Sequence, residues 1–555
     1  MNHHHKRIIC GILFLALCCS IAFTALPVVR AEETTDPSKI RDLYMPDTKV
    51  VNPPTVVQNV DTSDKLNNLN GDIRPQAAWL TLTSDAKVQL GSANVTLTDA
   101  LNACPRVLPI LVIPDTACAE LVIAAVKNIH FDLLLASSNT EVLKKLYNDQ
   151  IPYTRLIYIT DASDPKTITE TALSNGAMIV AMANPSRETC EYLQKRFLTV
   201  LTNPALANDE LNVRSAVDCG ANFVLLDGYQ KAYEMYEAVQ SPAYVRRSYV
   251  VGHRGMVSLA PDNTAEGVRE AFENGADAAE IDIRYTSDQQ IVCFHNNDLK
   301  GATVETLETP DRNISEYSYA ELQQYTLKMK GQYANCKIPT LEEILTVLQE
   351  YPDKILVIEF KDFLVDPDHL RTVLEQFNVM DRCVFIGFGQ NLLNMHYPTI
   401  PTVGASLLDS GYPQDDATGC VDRYYSVSIG TVASYSPSYY IPDAAIGMLH
   451  CRGVSLNLWT AGSFSVMVDM AYRGAQFITT DLVEEESWVH DCYNNMDSNK
   501  IFGAYVEPAS STPPAADSSQ DSVTNPFSIM PLFFVLPALA FIAAIIAKIY
   551  HIRKK

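Results

Sequence analysis

Basic side chains are in deficit in this sequence: 42 Lys and Arg stand against 65 Asp and Glu over 555 residues, a formal net charge of −23. A surface of that sign repels nucleic acid and anionic lipid within a Debye length. Nucleic acid is therefore excluded as a partner, and any phosphate bound here must meet a local cluster of His, Arg and Lys. A CxxC pair is also missing among the 13 cysteines, so spacing assigns no pairing. Three of them (Cys10, Cys18, Cys19) lie in the first apolar run, and the other ten, Cys104 to Cys492, are open to two readings: disulfides, or small buried hydrophobes. What remains is ordinary for globular protein, 47% apolar and 19% charged, in a chain longer than one core usually serves. Two folded units plus accessories are expected.

The two ends carry the accessories. Lys6 and Arg7 precede an apolar run over 8–29, and Val29-Arg30-Ala31 supplies small residues at a cleavage point, so 1–31 reads as an export signal, with an uncleaved anchor as the alternative. Residues 527–547 form a second run without a charge, long enough for a hydrocarbon layer of ~30 Å. Lys548, Arg553, Lys554 and Lys555 follow it. Basic flanks stay cytoplasmic, so the expectation is a single-pass transmembrane helix at 527–547, a cytoplasmic tail at 548–555, a flexible stalk at 496–526 and an extracellular catalytic ectodomain anchored at the cell membrane.

From Tyr249 onward eight short apolar runs (YVVGH, AEIDI, IVCFH, ILVIEF, CVFIGF, TVGASLL, VSLNLW, QFITTD) alternate with helix-like segments. This rhythm predicts a parallel (β/α)8 TIM-type barrel over 247–495, whose chemistry would sit at the carboxyl ends of its strands. His253 and Arg254 follow the first run, Glu280 and Asp282 lie in the second, His295 closes the third, and Glu359 and Lys361 end the fourth. Residues two apart share a strand face, so Glu280 projects with Asp282, and Glu359 with Lys361. Three buried carboxylates raise one another's pKa unless a cation holds them, and an all-oxygen set suits Ca2+ or Mg2+. Two histidines could then supply a general base and a general acid, with Arg254 and Lys361 on phosphate oxygens. Each feature alone has a bland reading: a structural histidine, a solvated acidic pair.

Together they resemble a known family. The segment GHRGMVSLAPDNTAEGVREAFENGADAAEIDIRYTSDQQIVCFHNNDL, followed by IPTLEEIL, IEFK, LNLWTA and RGAQFITTDL, is similar to the glycerophosphodiester phosphodiesterase family over about 240 residues. The resemblance implies Glu280, Asp282 and Glu359 as metal ligands, His253 and His295 as the acid/base pair, and Arg254 and Lys361 on the phosphate. It also implies attack by the glycerol hydroxyl through a cyclic phosphate that water then opens. Three positions depart from the pattern: Asp262 replaces a Glu, Asn296 an Asp, and Gly301 an Arg. Expected substrates are glycerophosphodiesters; lysophospholipids or glycerol phosphate polymers, and a non-catalytic surface binding module, are the alternatives.

Upstream, 32–246 echoes the same order of motifs. AAWLTLTSD parallels AAEIDIRYTSD, LPILVIPD parallels KILVIEFKD, and CGANFVLLDG parallels RGAQFITTDL. This predicts a degenerate barrel-like α/β copy. Trp79 and Thr81 align with Glu280 and Asp282, and Pro114 with Glu359, so no metal is expected there. No first strand is evident over 61–72.

Overall fold

The computed structural model describes residues 40–127, 131–204, 208–304, 311–361, 365–388, 402–405, 416–428, 432–436, 441–483 and 496–506. Two barrels lie within the compact unit that ends at Ala504.

The first barrel is complete. Its parallel strands are Thr55–Asn59, Ala77–Thr81, Leu108–Val112, Leu133–Ser137, Thr154–Ile159, Ala177–Met182, Thr199–Thr202 and Phe223–Leu226, and they close into a ring. These segments are mostly apolar and buried, as strands covered on both faces must be. Side-chain caps start the intervening helices: Asp115 accepts from Cys118 N–H, Ser186 from Thr189 N–H and Asn208 from Leu211 N–H. The expected degenerate domain is thus corrected to a full closed barrel. Its first strand lies just before the polar segment 61–72, in TVVQN, and pairs with both the second and the eighth strand.

Register also corrects one alignment. Thr81 pairs with Val112 as Asp282 pairs with Glu359. Val112 therefore stands in the place of Glu359, and Pro114, two residues on, in the place of Lys361. Gapless matching of LPILVIPD to KILVIEFKD missed this because both strings centre on ILVI, and only the ladder fixes which end is shifted.

In the second barrel Tyr249–Gly252 pairs in parallel with both Phe477–Thr480 and Ala278–Tyr285, and the ring continues through Ile355–Phe360, Cys383–Phe388, Thr402–Ala405, Val432–Ser436 and Ser455–Ala461. One of the eight runs read from sequence needs correction, and one strand was absent from them. Ile291–Cys293 is an antiparallel arm hanging on Ala278–Tyr285, not a barrel strand, and Val432–Ser436 takes the vacated place. Apolar content misled here: IVC is wholly apolar but returns after a tight turn, whereas VASYS is half polar yet sits inside the ladder.

The two barrels meet at the amino-terminal ends of their strands, and the contact is reciprocal. Phe197, just before the seventh strand of the first barrel, stacks on Phe477 of the second with ring centroids 3.8 Å apart. Cys451, just before the seventh strand of the second, joins the interior cluster of the first, and its Sγ lies 3.2 Å from Gln76 Nε2. Arg452, fully buried, is 2.5 Å from Asp132, which also pairs with Arg41 at 3.1 Å. Equivalent loops thus plug opposite barrels, as in a two-fold dimer. Each barrel's carboxyl-terminal face is left pointing away from the other barrel.

The membrane expectations are withdrawn. No helix among the described residues is long and apolar enough to cross a membrane, and 1–31 and 527–547 lie outside the described residues. The transmembrane helix, the membrane anchoring and the single-pass cell-membrane topology therefore have no structural basis. All nine described cysteines are buried free thiols.

Candidate active site

At the carboxyl-terminal face of the second barrel, Glu280 and Asp282 come from its second strand and Glu359 from the neighbouring third, with Asp282 and Glu359 paired in register. One oxygen of each carboxylate lies within 4.8 Å of the others, and all three residues are buried. Burial pushes the Glu280 carboxyl well above the usual range, and the charges of Asp282 and Glu359 push it further. Burial likewise raises Glu359, with Asp282 adding to it. Asp282 is the exception: burial works to raise it, but Lys361 and Arg254 outweigh that and hold it low. Lys361 Nζ lies 2.5 Å from Glu359 and 3.2 Å from Asp282. Burial opposes its charge, but these carboxylates raise its pKa.

Glu280 Oε1 is buried without a hydrogen-bond partner, and Asp282 Oδ1, buried too, is met only by the Lys361 ammonium at 3.2 Å. Orphaned carboxylate oxygens are costly unless something else meets them. An oxygen-only donor set with an unmet Glu280 oxygen fits a hard divalent cation.

The turn after the first strand fixes the rest. Gly255 has φ +85°, and a Cβ there would come within 2.6 Å of the Gly267 backbone, so the HRG turn packs directly on the following helix. Arg254 is held at φ +52° and its N–H donates to Glu280 Oε2 at 2.8 Å. Its guanidinium reaches Asp262 at 3.3 Å and Asp282 at 3.5 Å. Asn263 clamps Asp282 twice: its Nδ2 donates to Oδ2 at 2.7 Å, and its Oδ1 accepts from the Asp282 N–H at 2.7 Å. Sequence reasoning gave Asn263 no role, although it directly follows Asp262 in the segment that carries the resemblance.

The two histidines are anchored separately. His253 Nδ1 is 2.7 Å from Asp481 Oδ1, and this bond, before burial, holds the Asp481 carboxyl below its usual range. Asp481 was the second residue missed; its signal was the Thr-Asp closing the last strand. His295 Nδ1 contacts Asn296 Oδ1 at 2.9 Å, and Arg284 Nη2 donates to its backbone oxygen at 2.6 Å. Burial lowers the His295 pKa against the pull of Asp282. Because Ile291–Cys293 is a hairpin arm, His295 sits beyond that arm rather than at the end of a barrel strand. Among the described residues no direct bond joins the two rings.

Beyond His295 the chain forms a lobe over 296–304 and 311–339 with its own small core of Leu299, Ile314, Tyr317, Leu322 and Leu327. The first barrel has nothing equivalent, since its second strand leads through the short hairpin Lys87–Leu90 and Ala93–Thr96 straight into a helix. Lobe and barrel enclose a cavity of about 390 Å³ bordered by Arg254, Asp262, His295, Lys328 and Lys330.

The model of the glycerophosphoryl diester phosphodiesterase family matches residues 253–485. The glycerophosphodiester phosphodiesterase of Caldanaerobacter subterraneus is 25% identical over 245 residues, 42% of this chain and 94% of its own length. That of Bacillus subtilis is 29% identical over 234 residues, 39% of this chain and 78% of its own. Among solved structures, an Oleispira antarctica phosphodiesterase in complex with the product sn-glycerol-3-phosphate has a TM-score of 0.39 and 23% identity, covering 44% of this chain and 97% of that one. Through its second barrel, this chain belongs to the glycerophosphoryl diester phosphodiesterase family.

Proposed function

We propose that the second barrel hydrolyses glycerophosphodiesters to glycerol phosphate and an alcohol, with a divalent cation, Ca2+ or Mg2+, held by Glu280, Asp282 and Glu359. The observation that carries this reading is the convergence of three buried carboxylates, with Glu280 Oε1 unmet, beside Arg254, Lys361 and two histidines. When bound, the ion supplies Lewis-acid polarisation of the phosphate and neutralises its charge. Arg254 and Lys361 border the cluster with positive charge and meet the phosphate oxygens as negative charge builds.

The histidines divide the proton transfers by environment. Burial lowers the His295 pKa, which suits it to take the proton from the attacking hydroxyl, whether the substrate's own glycerol hydroxyl or water. His253, held at Nδ1 by the Asp481 carboxylate, is oriented to give a proton to the departing alcohol oxygen. A carboxylate behind the ring fixes its orientation. Asn263 keeps Asp282 aimed through its two bonds and is a positioning residue.

The test is a release assay on purified protein with glycerophosphocholine, lysophosphatidylcholine and polyglycerol phosphate, each with and without chelator. Release of glycerol phosphate from a glycerophosphodiester, abolished by chelation and restored by Ca2+ or Mg2+, is expected. Full hydrolysis in excess chelator would remove the metal from the reading. No turnover of any compound with either ion would favour a binding module instead.

A further inference from the structure

The cavity beyond His295 has an unusual charge for this molecule. The chain carries −23 overall, yet this wall has three cationic side chains, Arg254, Lys328 and Lys330, and one anionic side chain, Asp262. Asp262 is already divided between two of the cations, with Oδ2 3.3 Å from Arg254 and Oδ1 3.4 Å from Lys330. Lys328 has no ion-pair partner among the described residues. His295 adds no charge when neutral, and position 296 offers an amide rather than a carboxylate. With Arg254 shared with Asp282 at 3.5 Å, the two lysines exceed the wall's one carboxylate by one positive charge.

Shape and charge agree. Gly301 is at φ +75° and a Cβ there would meet nothing within 4 Å, so the wall leaves open space on that side. The lysines are held over the cavity by backbone pairing: Lys328 N–H donates to Ala302 O at 3.0 Å, and Leu327 bridges Thr303. Exposed lysines are common and usually only solvated. Two of them converging with an arginine on one concave wall, in an acidic protein, form a local field that attracts anions and repels cations.

We propose that Lys328 and Lys330 are specificity-determining residues that select glycerophosphodiesters bearing a second anionic group, on the substituent that extends past His295 into this cavity. The inference rests on the phosphodiesterase reading above and deepens it. The diester phosphate occupies Arg254 and Lys361; a further phosphate or carboxylate meets Lys328 and Lys330. A choline or ethanolamine head would bring its cation against theirs.

The experiment compares kcat/KM of the full chain on three glycerophosphodiesters that differ in the far group: glycerophosphocholine (cationic), glycerophosphoglycerol (neutral) and a glycerol phosphate dimer with a terminal phosphate (anionic). The expected order is anionic, neutral, cationic, with about tenfold or more between the first and last at low salt. Raising the ionic strength to about 1 M should shrink the spread, because the lysines are open to solvent. The K328Q/K330Q variant should bring the three within about threefold of one another, and Lys328→Glu should favour the cationic compound. Equal kcat/KM for the three in the wild type, or an unchanged ratio in K328Q/K330Q, overturns the selection while leaving the phosphodiesterase reading intact. If no compound is turned over, that reading fails, and the cavity is judged by calorimetric binding of the dimer alone. K328Q/K330Q must then weaken binding about tenfold, and equal affinity overturns the proposal.

Discussion

Single side chains decide whether the carboxylate cluster can work. Asn263 satisfies both the backbone N–H and one carboxylate oxygen of Asp282 in a site with no water-facing alternative. Asn263→Ala should cost about 2 to 3 kcal/mol in denaturant unfolding, since a buried acceptor is left unmet, and should lower divalent-ion affinity measured by calorimetry. His253→Ala and His295→Ala should each lower kcat by about 10² or more with metal content unchanged. Near-normal turnover in either folded variant would remove that histidine from the reaction. Asp481→Asn should slow turnover by about tenfold or more while leaving ion affinity alone, because it acts on the His253 ring and not on the cluster.

At the scale of elements, the lobe formed by 296–304 and 311–339 separates the two barrels in kind. It carries Lys328 and Lys330 to the site, and it is seated through Gly331, whose φ of +56° and closeness to the Leu259 backbone leave no room for a Cβ. Gly331→Ala should lift the segment off Leu259, raising KM several-fold with a smaller effect on global stability, as hydrogen exchange confined to about 327–336 would report. Global unfolding at an ordinary midpoint with unchanged KM would mean that the seat is not needed. The hairpin arm matters for the same reason: it carries His295 out of the ring and over the cavity.

The whole molecule behaves as two barrels sealed at their bases. Arg452 is fully buried on Asp132 across that seal, so Arg452→Ala should destabilise the chain by about 3 kcal/mol or more, the range for stranding a buried charge. A chain beginning near Ser248 would bare Tyr249, Phe477 and Arg452 together, and should aggregate or melt early even with every catalytic side chain present. A stable, monodisperse product would refute the sealing role. Asp277 ties Lys195 of the first barrel at 3.2 Å to Arg247 at 2.7 Å. Burial works to raise its pKa, but Arg247 and Lys195 outweigh that and hold it below 3.8. Between its folded and unfolded values the folded chain holds fewer protons, so this stabilisation is complete above the unfolded value and is lost as pH falls through the folded one. Asp277→Asn should therefore lower Tm at pH 7 and flatten its fall between about pH 5 and pH 2.

Much of this was legible in one dimension. The period of apolar runs and the ordered motifs from His253 to Asp481 marked a barrel and its acidic centre, because catalytic groups at strand ends must alternate with residues the strand buries. The sequence by itself also determined that the first barrel has no carboxylate where the second has Glu280 and Asp282, since Trp79 and Thr81 stand there. Register was another matter. Whether Val112 or Pro114 replaces Glu359 depends on hydrogen bonds between strands, which a string of similar apolar residues does not encode. The same holds for the polar strand Val432–Ser436, the hairpin arm under His295, the clamp of Asn263 on Asp282 and the carboxylate behind His253. Each of these is a contact between residues that only closure of the ring or folding of the lobe brings together, so only the tertiary structure could decide them.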